Sequence, residues 1–341
     1  MKEPMRPFTL GEILDRTAQL YKHNFLLFAG VAAAPIGVLI AVFAGVGALI
    51  AAFGVSAKGA MSSDVVTGLL VLAILLVGLP VGIVAAVFSH AALTRAAVST
   101  HTGERLTIRA ALKGVWPKFG RYLGLMALQV IFAGVIPGFV AGVVVGFLAY
   151  LGTRAANDSA TDWGTGFLAI LVVLAALVYI VWRAIGYSMG MAACVAEDKP
   201  AWDSLNRSVK LCKGTRGRIF VMFLLVWALS VVLSMIAYIP MIMVVATVTA
   251  IGHGAEYARV TAVVAEILNF LFNFALQTLI TPVYVMALVL FYYDQRIRTE
   301  GYDIEWMMER AGLTDAPASP GGGVSGNAFE PPGGPDTVKM S

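Results

Sequence analysis

Between Gly164 and Ala196 the chain is apolar except for one charge, Arg183. A guanidinium within a membrane costs roughly 2.5–3.5 kcal/mol on insertion scales, so it marks a functional place by default. Two placements fit. Arg183 either faces an internal polar path, with Asp294 or a lipid headgroup as counter-ion, or snorkels to the interface beside Trp182 and Tyr187; the interface is the preferred placement. A second pattern is a stripe, Glu266, Asn269, Asn273, Gln277 and Thr281, spaced three or four apart along one face of a helix. It can line a cavity for a polar solute or headgroup. It can equally supply interhelical hydrogen bonds of ~0.6 kcal/mol each, and that is its expected use.

Other charged residues come in groups. The basic segments around Arg109 and Lys113, and around Arg207 and Lys210, suit anionic lipid headgroups and serve equally as topology signals. Asp15 with Arg16, and Asp294 with Arg296 and Glu300, read as neutralised networks tying surface helices to the last span; structure is a commoner use of such pairs than catalysis. No reaction signature accompanies them. His23, His90, His101 and His253 form no i, i+4 pair or other ligand spacing, so no metal site is expected. There is no glycine-rich phosphate loop or nucleophile elbow, and no catalytic residue or cofactor is assigned. Cys194 and Cys212 lie outside any C-x-x-C spacing and are expected to be unpaired thiols.

The elements that must hold these residues follow from composition. Of 341 residues 59% are hydrophobic and 13% charged, against about 25% charged in a soluble domain. That balance points to an all-α polytopic membrane protein. The basic residues sit beside apolar runs, which fits membrane orientation better than nucleic acid. Six runs are long enough for a core of roughly 30 Å, which takes about 20 helical residues: approximately 25–53, 65–94, 122–151, 164–193, 219–250 and 267–293. The first 24 residues are polar, without a signal-peptide core, so the first span is expected to target the membrane. Residues 309–341 are rich in Pro, Gly and Ser and are expected to form a disordered tail.

Amphipathic segments precede the first, third and fifth spans. Leu14, Leu112 and Leu205 begin similar passages 98 and 93 residues apart. This layout reads as three repeats of surface helix plus transmembrane hairpin. Lys and Arg number 20 on the side of these segments and the termini, against 3 on the other, with Arg183 between. The positive-inside rule then puts both termini in the cytoplasm.

Three stretches, FTLGEILDRTAQLYKHNFLLF, EDKPAWDSLNRSVKLCKG and YYDQRIRTEGYD, together resemble the glycerophosphoryl diester phosphodiesterase membrane-domain family of bacterial proteins. The matching positions are Gly11 to Asp15 with Leu20, Tyr21, Asn24 and Phe25; Ser204 to Gly214, with Ser204 in place of the usual Ala; and Tyr292 to Gly301. They cover the first, fifth and sixth spans. The resemblance implies an integral membrane protein of the bacterial inner membrane, in a family without a settled activity. Its phosphodiesterase half is not implied: the sequence has no His-Arg pair, no Glu-x-Asp pair and no room for a barrel of about 250 residues. The expectation is therefore a non-enzymatic protein engaging anionic membrane lipids or organising the membrane. The alternative is a transporter or channel for a small polar solute or headgroup, with its path along the sixth helix.

Overall fold

In hydrocarbon every backbone N–H and C=O must find its partner within the chain, and a helix does this within one segment. The structure, a computed structural model, describes residues 8–56, 68, 72, 74–104, 106–154, 159–251, 255–301 and 307. Among these residues there are helices and turns and no strand. Six spans are long and apolar enough to cross a membrane: Phe25–Val42, Leu75–Thr102, Ile108–Arg154, Trp163–Ala196, Arg216–Ile236 and Leu268–Glu300. The chain is an all-α polytopic membrane protein.

Eleven α-helices are described: α1 Leu10–His23, α2 Phe25–Ser56, α3 Leu79–Thr102, α4 Ile108–Lys113, α5 Phe119–Val130, α6 Ile136–Arg154, α7 Ser159–Tyr187, α8 Gly190–Ala196, α9 Ala201–Leu211, α10 Arg216–Ile251 and α11 Ala255–Glu300. Pro80 and Pro137 each stand second in a helix, α3 and α6, just after the π-helical turns Ile74–Gly78 and Ile131–Val135. A wider turn accommodates a residue that has no N–H and whose ring crowds the preceding carbonyls. The spans thus pass their prolines without a gap, and Pro35 and Pro282 lie inside continuous helices.

The repeat is visible in the register of the surface helices. α1, α4 and α9 start at Leu10, Ile108 and Ala201, the same 98- and 93-residue offsets that relate Leu14, Leu112 and Leu205. Their inward positions correspond as well. Ile13, Ala111 and Ser204 are fully buried, and one turn on Thr17, Val115 and Ser208 are at most 1% exposed. Thr9 closes a capping box on α1, its hydroxyl accepting from the Glu12 N–H while the Glu12 carboxylate accepts from the Thr9 N–H at 2.7 Å. Thr107 caps α4 in the same position. The second span of each hairpin ends in a left-handed residue: Gly103 (φ 82°), Asp198 (φ 53°) and Gly301 (φ 66°). Glycine takes that conformation freely and aspartate tolerates it.

Each hairpin packs most closely on itself: α2 on α3, α5–α6 on α7, α10 on α11. The surface helices do not pack chiefly on the hairpins they lead into. α1 lies on α11 of the third hairpin, α4 on α2 and α3 of the first, and α9 on α5, α7 and α8 of the second. Each is displaced one hairpin back, which closes the three repeats into a ring. The core of that ring is α11, where Val285 to Gln295 are buried on every side. Away from it the hairpins separate; Phe139, Val143 and Phe147 of α6 and Phe167 and Leu174 of α7 are exposed. All the surface helices lie at one end, the basic end.

The fourth apolar run conceals a break. α7 stops at Tyr187 and α8 restarts at Gly190, so three carbonyls lose their helical partners. Side chains from three directions take them up. Ser188 Oγ and Cys212 Sγ donate to Ile185 O (2.8 and 3.4 Å), Ser208 Oγ to Gly186 O (2.8 Å), and Gln129 Nε2 to Tyr187 O (2.8 Å). Ser208 Oγ also accepts from Met189 N at 3.1 Å. Cys194 and Cys212 are buried free thiols, and burial pushes the Cys212 thiol up to about 11. Residues 57–67, between the first two spans, and residues 309–341, expected to form the tail, lie outside the described residues.

Ser208→Ala leaves Met189 N and Gly186 O unsatisfied in a dry interior. The expected loss is about 1–3 kcal/mol, seen as a lower thermal midpoint of the detergent-solubilised protein. An unchanged midpoint would remove Ser208 as the clasp of the α7–α8 break.

Candidate functional site

The basic end is held by two carboxylate centres. Asp294, the first charged residue after the apolar run of α11, has no exposed side-chain surface. Its Oδ1 accepts from Phe8 N at 2.7 Å, and its Oδ2 from Arg298 Nε at 2.9 Å and Gln295 Nε2 at 3.2 Å, with Arg218 Nη1 3.7 Å away. Arg298 and Arg218 also donate to Phe8 O at 2.6 and 3.1 Å. One carboxylate thus pins the start of α1 to α10 and α11. The second centre is Glu197, which pairs with Lys199, with Arg207 at 3.0 Å and with Arg296 at 3.8 Å, and accepts from the Tyr292 hydroxyl. Burial works to raise its carboxyl, but hydrogen bonds from Lys199, Tyr292 and Arg207 outweigh it and hold Glu197 below its ordinary value. Glu300 joins Arg207 to Arg296. Beside them, Asp198 binds Lys118 and Arg121, each at 2.6 Å, which anchors the left-handed turn that ends α8.

The sequence grouped Asp294 with Arg296 and Glu300, but they fall in two separate centres: Asp294 with Arg298 and Arg218, and Arg296 and Glu300 with Glu197 and Arg207. Asp15 is exposed and accepts from Gln19 Nε2 one turn on, at 2.8 Å, while Arg16 is half-buried on the neighbouring face. Arg207 parts company with Arg109, Lys113 and Lys210: those three are exposed, and Arg207 is locked between Glu197 and Glu300. Glu197 and Asp198 were not singled out by sequence reasoning. Their signal was position, two carboxylates directly after a span and before a basic segment.

Below the networks lies an aromatic and arginine belt. Trp163 is 83% and Trp182 48% exposed at the two ends of α7. Nineteen residue steps separate them, about 28 Å at 1.5 Å per residue, close to the ~30 Å hydrocarbon core. Arg183 directly follows Trp182. Its guanidinium lies 4.6 Å from the Tyr187 ring centroid and touches the Tyr187 hydroxyl. It closes one end of a 400 Å³ groove between α6 and α7, whose other walls, Phe132 and Val140 among them, are apolar or aromatic. On another side of Trp182, Arg216 stacks over the indole at 3.9 Å. Neither arginine pairs with a carboxylate among the described residues.

Two cavities lie between the hairpins and share His90 and Met126 as a wall. The larger, 660 Å³, is bounded by α3, α5, α7, α10 and α11 and lined mainly by apolar groups, with Gln129, Ser188 and Tyr284 as polar exceptions. The smaller, 480 Å³, carries Asn273, Gln277 and Thr281 from the polar stripe, facing Ser89 and His90. The stripe divides in use. Asn273 Nδ2 donates across to Tyr238 Oη of α10 at 3.1 Å, an interhelical bond, and within α11 to Asn269 Oδ1 at 2.6 Å. Thr281 bonds only back to Gln277, at 3.3 Å, and both remain in the cavity wall. The side chain of Glu266 lies outside the described residues.

At the rim of the basic end, α4 forms one wall of a 550 Å³ groove. Arg109 and Lys113 flank it, Ile108 and Leu112 line it, and Phe88 meets Trp116 edge-on at 6.3 Å across its floor. Trp116 is 74% exposed. No group of three or more His, Cys, Asp or Glu capable of holding a metal occurs among the described residues. No protein-family model, curated protein or solved structure matches the chain.

Asp294→Asn keeps the shape and removes the charge, leaving Arg298 and Arg218 without their counter-ion. Breaking a buried pair from one side costs about 3–5 kcal/mol; with both arginines about a third exposed, roughly 2 kcal/mol is expected here. The thermal midpoint should fall, and limited proteolysis should cut before α1 faster than in the parent. Equal cleavage in both proteins would show that Asp294 does not hold the N-terminal segment.

Proposed function

We infer that this is a non-catalytic protein of a bacterial inner membrane, with both termini cytoplasmic, that engages anionic lipid at its basic end and organises the membrane around it. One observation carries the reading: Arg109 and Lys113 stand exposed, a turn apart, over an apolar groove beside an exposed tryptophan. Basic groups attract anionic headgroups, apolar walls accept acyl chain, and tryptophan favours the depth where the two meet. The 20-to-3 bias in Lys and Arg supports the orientation. The resemblance to glycerophosphoryl diester phosphodiesterase membrane-domain proteins supports the bacterial membrane setting and brings no reaction with it.

The test is the preference of the reconstituted protein for spin-labelled phosphatidylglycerol over phosphatidylcholine. Arg109→Gln with Lys113→Gln should lower that preference roughly tenfold or more, since each cation near an anionic surface contributes on the order of 1 kcal/mol. Arg207 is left intact because its charge belongs to the Glu197 network. An unaltered preference in a protein that still inserts would sink the reading.

The 480 Å³ cavity supports a second reading, a path for a small polar solute, because Gln277 and Thr281 face Ser89 and His90 across it. Glycerol permeation in proteoliposomes, read by light scattering, should then exceed that of empty vesicles and fall at least tenfold in Gln277→Leu. Rates equal to empty vesicles would leave the lipid reading alone.

A further inference from the structure

We propose that the seam between α7 and α10 is a specific phospholipid site, with Arg216 holding the phosphodiester and the 660 Å³ cavity holding an acyl chain. The proposal rests on the lipid-engaging reading above but uses different residues. Arg216 opens α10 and its guanidinium carbon lies over the Trp182 ring, 3.9 Å from the centroid. That contact restrains a group whose fork suits parallel hydrogen bonds to phosphate oxygens. Arg216 Nε has no hydrogen-bond partner, and no carboxylate among the described residues pairs with Arg216. The other arginines nearby on the basic end are engaged, Arg218 by Asp294 and Arg207 by Glu197 and Glu300. A cation left uncompensated beside apolar walls calls for an anion from outside the chain.

The depth is right for a headgroup phosphate. Trp182 stands one hydrocarbon thickness from Trp163, so the stacked guanidinium sits at the edge of the core. One turn further along α10 comes Phe220, a wall of the cavity, and α7 supplies Val181 and Ala184 on the facing side. Phe220, Val181 and Val130 are 46%, 45% and 57% exposed, so the rim opens sideways among α5, α7 and α10, where acyl chains lie. At 660 Å³ the space falls in the usual ligand range of ~300–1,000 Å³. None of its lining residues is an acid, lysine or arginine, so it suits a hydrocarbon chain and not the headgroup.

The experiment is native mass spectrometry of the full-length protein taken from vesicles of phosphatidylglycerol and phosphatidylethanolamine in equal parts. The parent should keep one phospholipid at collision energies that strip all others. Arg216→Gln should reduce that retained fraction at least tenfold, and Arg216→Lys by less. Gly134→Leu tests the chain half with the charge intact. Gly134 lines the cavity, and a Cβ there meets no heavy atom within 4 Å, so the new side chain fills space and displaces lipid. Retention equal to the parent in Arg216→Gln, or in Gly134→Leu, would overturn the site. Inorganic phosphate separates a headgroup site from a plain anion site: if phosphate alone stabilises the delipidated protein against heat as much as phosphatidylglycerol does, the acyl half is refuted. Arg109→Gln with Lys113→Gln should leave the single retained lipid in place. Loss of lipid preference in that pair with retention intact in Arg216→Gln would sink this site and spare the broader reading. The reverse pattern would do the opposite.

Discussion

The architecture depends on one fully buried carboxylate. Asp294 lies in the part of α11 that is enclosed on all sides, and it accepts at once from the backbone of Phe8, from Arg298 and from Gln295, with Arg218 beside it. Burying a charge is costly unless it is both paired and hydrogen-bonded, and here both conditions hold. The arrangement also joins residues about 286 positions apart. That junction brings the first repeat against the third, so the ring of hairpins is closed electrostatically at the point where the chain could otherwise fray.

Closure at one end shapes everything below it. Each surface helix is seated on the hairpin before its own, so the basic end is interlocked, while the hairpins touch one another less as they leave it. Lipid supplies no hydrophobic drive for helices to come together, and packing must rest on close fit and polar contacts. The polar contacts here are concentrated at the basic end and at the α7–α8 break. Cavities between hairpins follow from that distribution. Apolar helices held together at one end leave spaces between the hairpins, and the walls of these spaces are mainly apolar.

The features legible in the sequence were those set locally. Helix starts at Leu10 and Ile108 follow from threonine caps, and that at Ala201 from amphipathic spacing after Pro200; the starts repeat the 98- and 93-residue offsets of Leu14, Leu112 and Leu205. The importance of the last span was legible because its uncharged run ends so abruptly at Asp294. What contacts between different elements decide was not legible. Nothing local says that α1 belongs on α11, that Arg207 belongs to Glu197 while Arg109 stays free, or that Asn273 turns to Tyr238 while Gln277 stays in a cavity wall. The break at Tyr187 was hidden for another reason. Its carbonyls are satisfied by Ser208, Cys212 and Gln129 from other elements, so the run needed no polar residue to signal its end beyond Ser188.

Charge is partitioned by depth, and the partition argues for what the molecule meets. In the basic cap, Asp294, Glu197, Asp198 and Glu300 each sit among two or more cations, and those cations are largely neutralised. At the belt around Trp182 the carboxylates stop, yet Arg183 and Arg216 remain. If arginine served there only to orient the chain, exposed ends of long side chains directed at water would suffice. Both guanidiniums instead lie against aromatic rings, held in place and partly dehydrated, which restricts them to partners that come to that depth. No carboxylate among the described residues pairs with either arginine, so the belt keeps its charge where the cap has neutralised its own.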